Sequence, residues 1–348
     1  MVTWHLEAML RMTESRNLVH PITLGPLALS NNLVLAPMHK RTHLPFRLLC
    51  RRQGAALTHT EMATPHELLG RENARKARNL LASDPADRPL GVQILPRETD
   101  LLVETVAMLA QRGTADLVDL NFACPSRRVV GRSRRGAAFL RHPDAAVRLV
   151  EAAVGASPLP VTVKLRHGYT NSPQDNQLAL DLARGAADAG AVAVTVHARS
   201  AAQTYHHRAD WTTISRWTEA LAVPVFGSGD LKTPEAVLAM LRETGCAGAS
   251  IARGAFGTPW IFRQIRELAE TNSYRPVTPE ERGRAFLEHY EGLVRQYGER
   301  AGLRCIRQIG RVYARDIPRA AEARARIQNA RSAKGIRHVA ERWFEVNV

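Results

Sequence analysis

The chain has few cysteines, few lysines, fewer acidic than basic side chains and no long apolar run. Cys50, Cys124, Cys246 and Cys305 lie far apart in the 348 residues and form no CxxC pair. That excludes a disulfide framework and a zinc site, so no bound metal is expected, and it fits a reducing cytoplasm. No apolar stretch reaches the roughly 20 residues that span a bilayer, and the start carries Glu7 and Glu14 with no apolar core. Neither a membrane anchor nor an export signal is read there. Hydrophobic residues at 45% and charged residues at 23% exclude disordered, collagen-like and coiled-coil chains.

Base exceeds acid by 48 to 33, a net charge of +15, which favours a polyanionic partner such as nucleic acid. Arginine supplies most of it: the only lysines are Lys40, Lys76, Lys164, Lys232 and Lys334.

Eight short β-rich segments recur along the chain: 33–38, 55–62, 90–95, 117–125, 161–167, 191–198, 224–229 and 247–253. Amphipathic stretches separate several of them, among them 98–111, 144–154 and 234–243. Near-continuous apolar strands such as Val192-Ala193-Val194-Thr195-Val196 suit a parallel sheet covered by helices. Eight strand–helix units predict an α/β fold of the (β/α)8 TIM barrel type over 21–274, preceded by an extension, 1–20. A doubly wound sheet is the rival, but no GxGxxG follows the first strand.

After Tyr274 the strand pattern stops, and 275–348 reads as a smaller all-helical domain. From Arg300 onward 12 Arg or Lys stand against 4 Asp or Glu. Arg300, Arg304, Arg307, Arg311 and Arg315 recur at steps of three or four and would share one helix face. Such a stripe is either a solvated face or a phosphate-binding one.

Barrel active sites lie at the C-terminal ends of the strands. The polar residues there are Glu61, Gln93, Asn121 with Cys124, Lys164 with Arg166, His197 with Arg199, Ser228 with Asp230, and Arg253. Lys164 stands out because lysine is scarce and this one ends an apolar strand. Gly227-Ser228-Gly229-Asp230 and Ala252-Arg253-Gly254 close the seventh and eighth strands, where barrels hold phosphate on backbone amides. A flavin mononucleotide and a sugar phosphate fit that reading equally. Cys124 opens a loop that continues into Arg127, Arg128, Arg132, Arg134 and Arg135, which would favour its thiolate or grip phosphates.

Taken in order, these segments resemble the tRNA-dihydrouridine synthases. The resemblance runs from about Asn32 to Phe344. It rests on Leu35-Ala36-Pro37-Met38, Leu44-Pro45-Phe46-Arg47, Thr60-Glu61-Met62, Asn121-Phe122-Ala123-Cys124-Pro125, Val161 to Arg166, Val196-His197-Ala198-Arg199, Ala209-Asp210-Trp211 and Gly227 to Asp230.

The resemblance implies an FMN-binding barrel followed by an RNA-binding helical domain, reducing the 5,6 double bond of a uridine in tRNA or another structured RNA. Flavin hydride would reach carbon 6, Cys124 would protonate carbon 5, and NADPH would re-reduce the flavin. By the same resemblance Ala36, Pro37 and Met38 would pack along the flavin, and Gln93, Lys164 and His197 would bond its ring edge or ribityl chain. Ser228, Gly229, Asp230, Ala252 and Arg253 would hold its phosphate end. Asn121 and Arg199 would face the substrate base, with Arg304, Arg307 and Arg311 on the RNA.

The chain departs from the family's pattern at the mouth. His39-Lys40-Arg41 stands where a small residue, glycine and a hydrophobic residue are usual, and Arg134-Arg135 replaces two small positions. Two other readings therefore accompany the first. One is a flavin oxidoreductase of a small molecule, like the dihydroorotate dehydrogenases or old yellow enzyme. The other is an RNA-binding paralogue without catalysis, with His39 and Lys40 filling the flavin space.

Overall fold

The computed structural model describes residues 18–346 apart from positions 133 and 316 and the side chain of Arg132. The extension read over 1–20 thus lies outside the described residues as far as position 17, as does the Arg132 side chain.

Ten strands are present among the described residues. The first two, β1 (Ile22–Leu24) and β2 (Leu27–Leu29), form an antiparallel hairpin. Leu24 and Leu29 pack with Val34, Leu57, Leu117 and Phe226, so the hairpin plugs the N-terminal end of the barrel. The other eight are parallel: β3 (Leu33–Leu35), β4 (Thr58–His59), β5 (Leu90–Ile94), β6 (Leu117–Asn121), β7 (Val161–Arg166), β8 (Ala193–His197), β9 (Val225–Ser228) and β10 (Gly248–Ile251). They pair in sequence order, β10 returns to β3, and a Val34–Leu57 bridge joins β3 to β4 and closes the barrel.

The strands therefore fall inside the segments that the sequence marks, each shorter than its segment and 55–62 most of all. In the segment 55–62 the strand itself is Thr58–His59, the Ala56 and Thr60 amides extend the backbone pairing to the Leu33 and Gly91 carbonyls at 2.9 Å, and polar side chains add to it. Thr58 Oγ1 donates to Asp87 Oδ1 at 2.9 Å, and Thr60 Oγ1 accepts from the Gln93 amide at 3.1 Å.

Helices lie between the strands as the apolar periodicity predicts: Thr99–Arg112, Pro143–Gly155 and Pro234–Thr244 cover 98–111, 144–154 and 234–243. Pro at the first position, preceded by a Ser or Thr whose oxygen accepts an amide of the first turn, starts the helices at Pro173, Pro234 and Pro279.

Beyond Pro279 the described chain is helical: Pro279–Tyr297, Glu299–Ile309, Ala320–Asn329 and Ala333–Phe344. Phe286, Tyr313 and Phe344 meet in its core, and Gly292 lies against Pro45 of the barrel helix Leu44–Arg52. The five-arginine stripe does not lie on one helix. The α-helix ends at Ile309, Gly310–Val312 is a 3-10 turn, and Tyr313 is buried. Gly310 packs so closely on Phe286 and Ile327 that the chain turns inward there. Arg304 and Arg307 thus stay on the helix, whereas Arg311 and Arg315 lie beyond it; all four are exposed.

Candidate active site

Strand register brings the site together. Gln93 pairs with Asp119, Asn121 with Lys164, Arg166 with His197, and His197 with Ser228. All lie toward the C-terminal ends of their strands, around a cleft of about 270 Å³. Every residue that the sequence assigns to the cofactor lines this cleft, from Ala36, Pro37 and Met38 through Gln93, Lys164 and His197 to Ser228, Gly229, Asp230, Ala252 and Arg253. Asn121 and Cys124 line it too.

A buried chain of hydrogen bonds fixes the floor. Thr162 Oγ1 donates to Asp119 Oδ1 at 2.8 Å, and Gln93 Nε2 donates to Asp119 Oδ2 at 2.6 Å. Asn121 Nδ2 donates to Gln93 Oε1 at 2.8 Å, and Asn121 Oδ1 accepts the amides of Ala123 and Cys124 at 2.9 and 3.0 Å. The chain sets the flip of both amide side chains, since an ionised carboxylate only accepts.

Lys164 is half-buried and makes no hydrogen bond or ion pair among the described residues. Burial pulls its pKa down to about 8, opposed by Asp119 and assisted by Arg166. His197 is pushed well below the ordinary histidine range by burial and then by Arg166, Lys164 and Arg199. Arg199 Nη1 lies 3.3 Å from His197 Nε2. A guanidinium only donates, so Nε2 accepts and the neutral ring carries its proton on Nδ1.

The sequence leaves open whether the neighbouring arginines favour the Cys124 thiolate or grip phosphates. Burial raises the Cys124 pKa, outweighing the Ser126 amide and Arg166, so the thiol holds its proton. Arg135 is engaged elsewhere, donating to Glu98 at 2.8 Å, and Arg127 and Arg134 are exposed. Gly136, at φ +57°, lets the loop return under the thiol. A Cβ there would lie 2.7 Å from the Cys124 carbonyl oxygen.

At the far end, Arg199 is 1% exposed, and its Nη2 meets both Asp230 oxygens at 2.6 Å. Asp230 also accepts the Ala209 amide at 2.8 Å, with Arg253 at 3.5 Å. Arg199, assigned to the substrate, is thus buried beside His197 and Asp230 and is not among the residues lining the cleft. Asp230 is a neutralised anchor for two arginines. Arg304, Arg307 and Arg311 lie outside the cleft, and Arg307 Nε donates to the Gln328 carbonyl at 2.7 Å. His39 and Lys40 are exposed, and His39 also lines the cleft whereas Lys40 does not.

Asp119 and Tyr205 complete the site without a role having been assigned to them from the sequence, and Arg41, noted there as a departure from the family's pattern, lines the cleft too. Asp119 had a signal, a carboxylate alternating with apolar residues inside a buried strand. Tyr205 had none. It is 57% exposed, lines the cleft, and carries the Arg253 guanidinium 4.1 Å from its ring centre.

The sequence profile of the family described as "Dihydrouridine synthase (Dus)" matches residues 34–345. The chain is 36% identical over 307 residues to tRNA-dihydrouridine synthase B of Pseudomonas aeruginosa, covering 88% of this chain and 90% of that one. It is 37% identical over 291 residues to a probable tRNA-dihydrouridine synthase of Rhodobacter capsulatus, covering 82% and 87%. Among solved structures, morphinone reductase superposes with a TM-score of 0.53 at 15% identity, over 74% of this chain and 93% of that one. The old yellow enzyme homologue of Zymomonas mobilis superposes with 0.53 at 13%, over 74% and 94%. Those two likenesses are of fold, and they agree with the closed barrel seen here. The residues matched by the profile and the two synthase relatives establish that this chain belongs to the dihydrouridine synthase family.

Proposed function

We propose that the protein reduces the 5,6 double bond of a uridine in tRNA, with FMN as bound cofactor, NADPH as electron donor and the cytoplasm as its place of action. The observation that carries the reading is the meeting, in one cleft, of a half-buried lysine without a partner among the described residues, an amide-bearing floor and a thiol that keeps its proton.

The residues fit FMN. Ala36, Pro37 and Ala252 give the cleft low walls, Lys164 offers a cation with no protein partner among the described residues, and Gln93 is held in one orientation by Asp119. At the other end the Ser228–Asp230 and Ala252–Gly254 loops meet. The Asp230 charge there is compensated by Arg199, Arg253 and the Ala209 amide. When bound, FMN supplies the hydride for carbon 6 of the uracil and is recharged by NADPH.

The protein's own part is position and one proton. Lys164 beside the ring favours negative charge there, which a compact cation does well. Asn121 orients the Cys124 amide and faces the base. The Cys124 thiol gives its proton to carbon 5, and the thiolate left behind regains one from solvent. A uridine stacked in folded RNA must turn out to reach this depth, so the surrounding surface has to hold the RNA backbone.

The test is the visible spectrum of the purified protein, with the released cofactor identified by mass, followed by incubation with tRNA and NADPH. Bound FMN and dihydrouridine in the tRNA are expected. Protein that stays colourless after addition of FMN contradicts the reading.

A further inference from the structure

The backbone of Cys124 is gripped at both ends. Its amide donates to Asn121 Oδ1 at 3.0 Å, and its carbonyl oxygen accepts the Ala137 amide at 3.0 Å, from the returning arm of the loop that leaves the cysteine. That arm is closely packed. The Arg135 amide donates to the Val129 carbonyl at 3.1 Å, and a Cβ on Gly136 would lie 3.0 Å from Val129 Cγ1 and 3.1 Å from Cys124 Cβ. The 3-10 turn Gly136–Arg141 then sets Phe139 edge-on against Phe122, with ring centres 5.4 Å apart. Residues 136 and 137 therefore touch the thiol-bearing residue directly, and a shift of one moves the other.

An ion pair to the neighbouring unit of the barrel holds this arm. Glu98 immediately precedes the helix Thr99–Arg112, and Arg135 Nη2 donates to its two carboxylate oxygens at 2.8 and 3.2 Å. Most ion pairs at a surface contribute little. Here the Arg135 side chain is only 13% exposed, against 39% for Glu98, and its Nε is buried without a hydrogen-bond partner. A cation so placed depends on its acid, since removing one partner leaves a poorly solvated charge. Arg97 Nε also approaches Glu98, at 3.5 Å, but from a side chain that is 46% exposed. Arg135 stands where the family resemblance leads one to expect a small residue, which could not reach across, so the arginine is this chain's own.

We infer that the Arg135–Glu98 pair positions the Cys124 thiol for proton transfer, by tying the returning arm of its loop to the neighbouring barrel unit. Arg135 does not line the cleft and acts through the loop, as a positioning residue. The inference rests on the proposed reaction and adds the device that keeps its proton donor in place. In that reaction the Cys124 S–H bond breaks as a C–H bond forms at carbon 5, with hydride reaching carbon 6. The pair thus serves one half of the cycle, because reduction of FMN by NADPH needs no thiol.

The experiment uses the full-length, FMN-loaded protein, an unmodified tRNA transcript and the variants Arg135→Gln, Glu98→Gln, their double and Arg135→Lys, each checked for FMN content. The two half-reactions are followed separately by flavin absorbance without oxygen. Flavin reduction by NADPH should be unchanged in all four. Reoxidation by saturating tRNA should slow about tenfold in each single Gln variant, with KM for tRNA within about twofold of wild type. The double should be no slower than either single, since all three lose the same pair, and Arg135→Lys should recover part of the rate. Alkylation of Cys124 by iodoacetamide, read by peptide mass, should speed up severalfold in the Gln variants, because a loosened loop relieves the burial that keeps the thiol protonated.

Reoxidation at the wild-type rate in the Gln variants would overturn the inference. So would equal slowing of both half-reactions, which would assign the pair to the fold or the flavin. A raised KM with an unchanged limiting rate would assign Arg135 to the RNA and overturn it as well. The two readings fail separately. Wild type that tRNA never reoxidises defeats the proposed reaction, whereas unchanged alkylation of Cys124 in the variants defeats only the positioning.

Discussion

Asn121 Oδ1 accepts the Cys124 backbone amide at 3.0 Å, so the residue proposed to face the base also sets the position of the proposed proton donor. The other side of the same carboxamide is held by Gln93 Oε1 at 2.8 Å. Asn121→Ala leaves the Ala123 and Cys124 amides and the Gln93 oxygen without their partner. A stability loss of about 1–3 kcal/mol is expected, together with a fall in kcat larger than the change in KM. Thermal melting and steady-state kinetics check both.

Lys164 ties cofactor binding to pH. Its pKa of about 8 in the folded protein lies below the ordinary 10.5, so the unfolded chain binds more protons between those values. The cation therefore destabilises the cofactor-free protein fully below pH 8, by up to roughly 3 kcal/mol, and the penalty fades as pH rises toward 10.5. Lys164→Met is expected to melt higher than wild type at pH 7 without FMN, and to bind FMN weakly. In wild type, FMN affinity should fall as pH rises through about 8. Titrations of FMN at pH 7 and pH 9 decide it.

His43 and His289 make the junction between the barrel and the helical part sensitive to acid. Their rings are 4.9 Å apart, Phe46 stacks on His289 at 5.5 Å, and Tyr313 Oη lies 2.9 Å from His289 Nδ1. Both His43 ring nitrogens are buried without a hydrogen-bond partner. Burial, and then Arg47, pull its pKa down to about 3 from 6.5. The unfolded chain binds the proton first, so stability falls as pH drops from 6.5 toward 3, by about 5 kcal/mol at the lower end. His43→Phe should flatten that part of the profile. Denaturant midpoints at pH 7 and pH 5 measure the difference.

Lys40 sits at φ +58°, a left-handed conformation that side chains other than glycine rarely adopt, and its amide donates to the Glu61 carboxylate. The strain costs about 1–2 kcal/mol, offset in a glycine variant by the freedom glycine gives the unfolded chain. Lys40→Gly is expected to melt no lower than wild type and to bind tRNA more weakly. A clear drop in melting temperature would show that the side chain serves the fold.

The barrel was legible because its strands are apolar runs cut by glycine and proline, and the helices between them keep one apolar face. Lys164 and Cys124 were legible as polar residues ending such runs. What sequence could not convey was pairing across strands. Arg199 follows His197 closely enough to pass for a second base contact, and only the fold shows its guanidinium turned inward onto Asp230. The thiol's proton was hidden for a similar reason, since five arginines nearby in sequence suggest a thiolate while burial in space decides otherwise.

The most direct measurement is an anaerobic single turnover, in which protein with pre-reduced FMN is mixed with tRNA and followed by flavin absorbance and by dihydrouridine content. Wild type should reoxidise its flavin as dihydrouridine appears. Cys124→Ala, with flavin and tRNA bound normally, should be slower by a factor of about 10² or more. Reoxidation at the wild-type rate in that variant, or no reoxidation by tRNA in the wild type, would contradict the proposed chemistry.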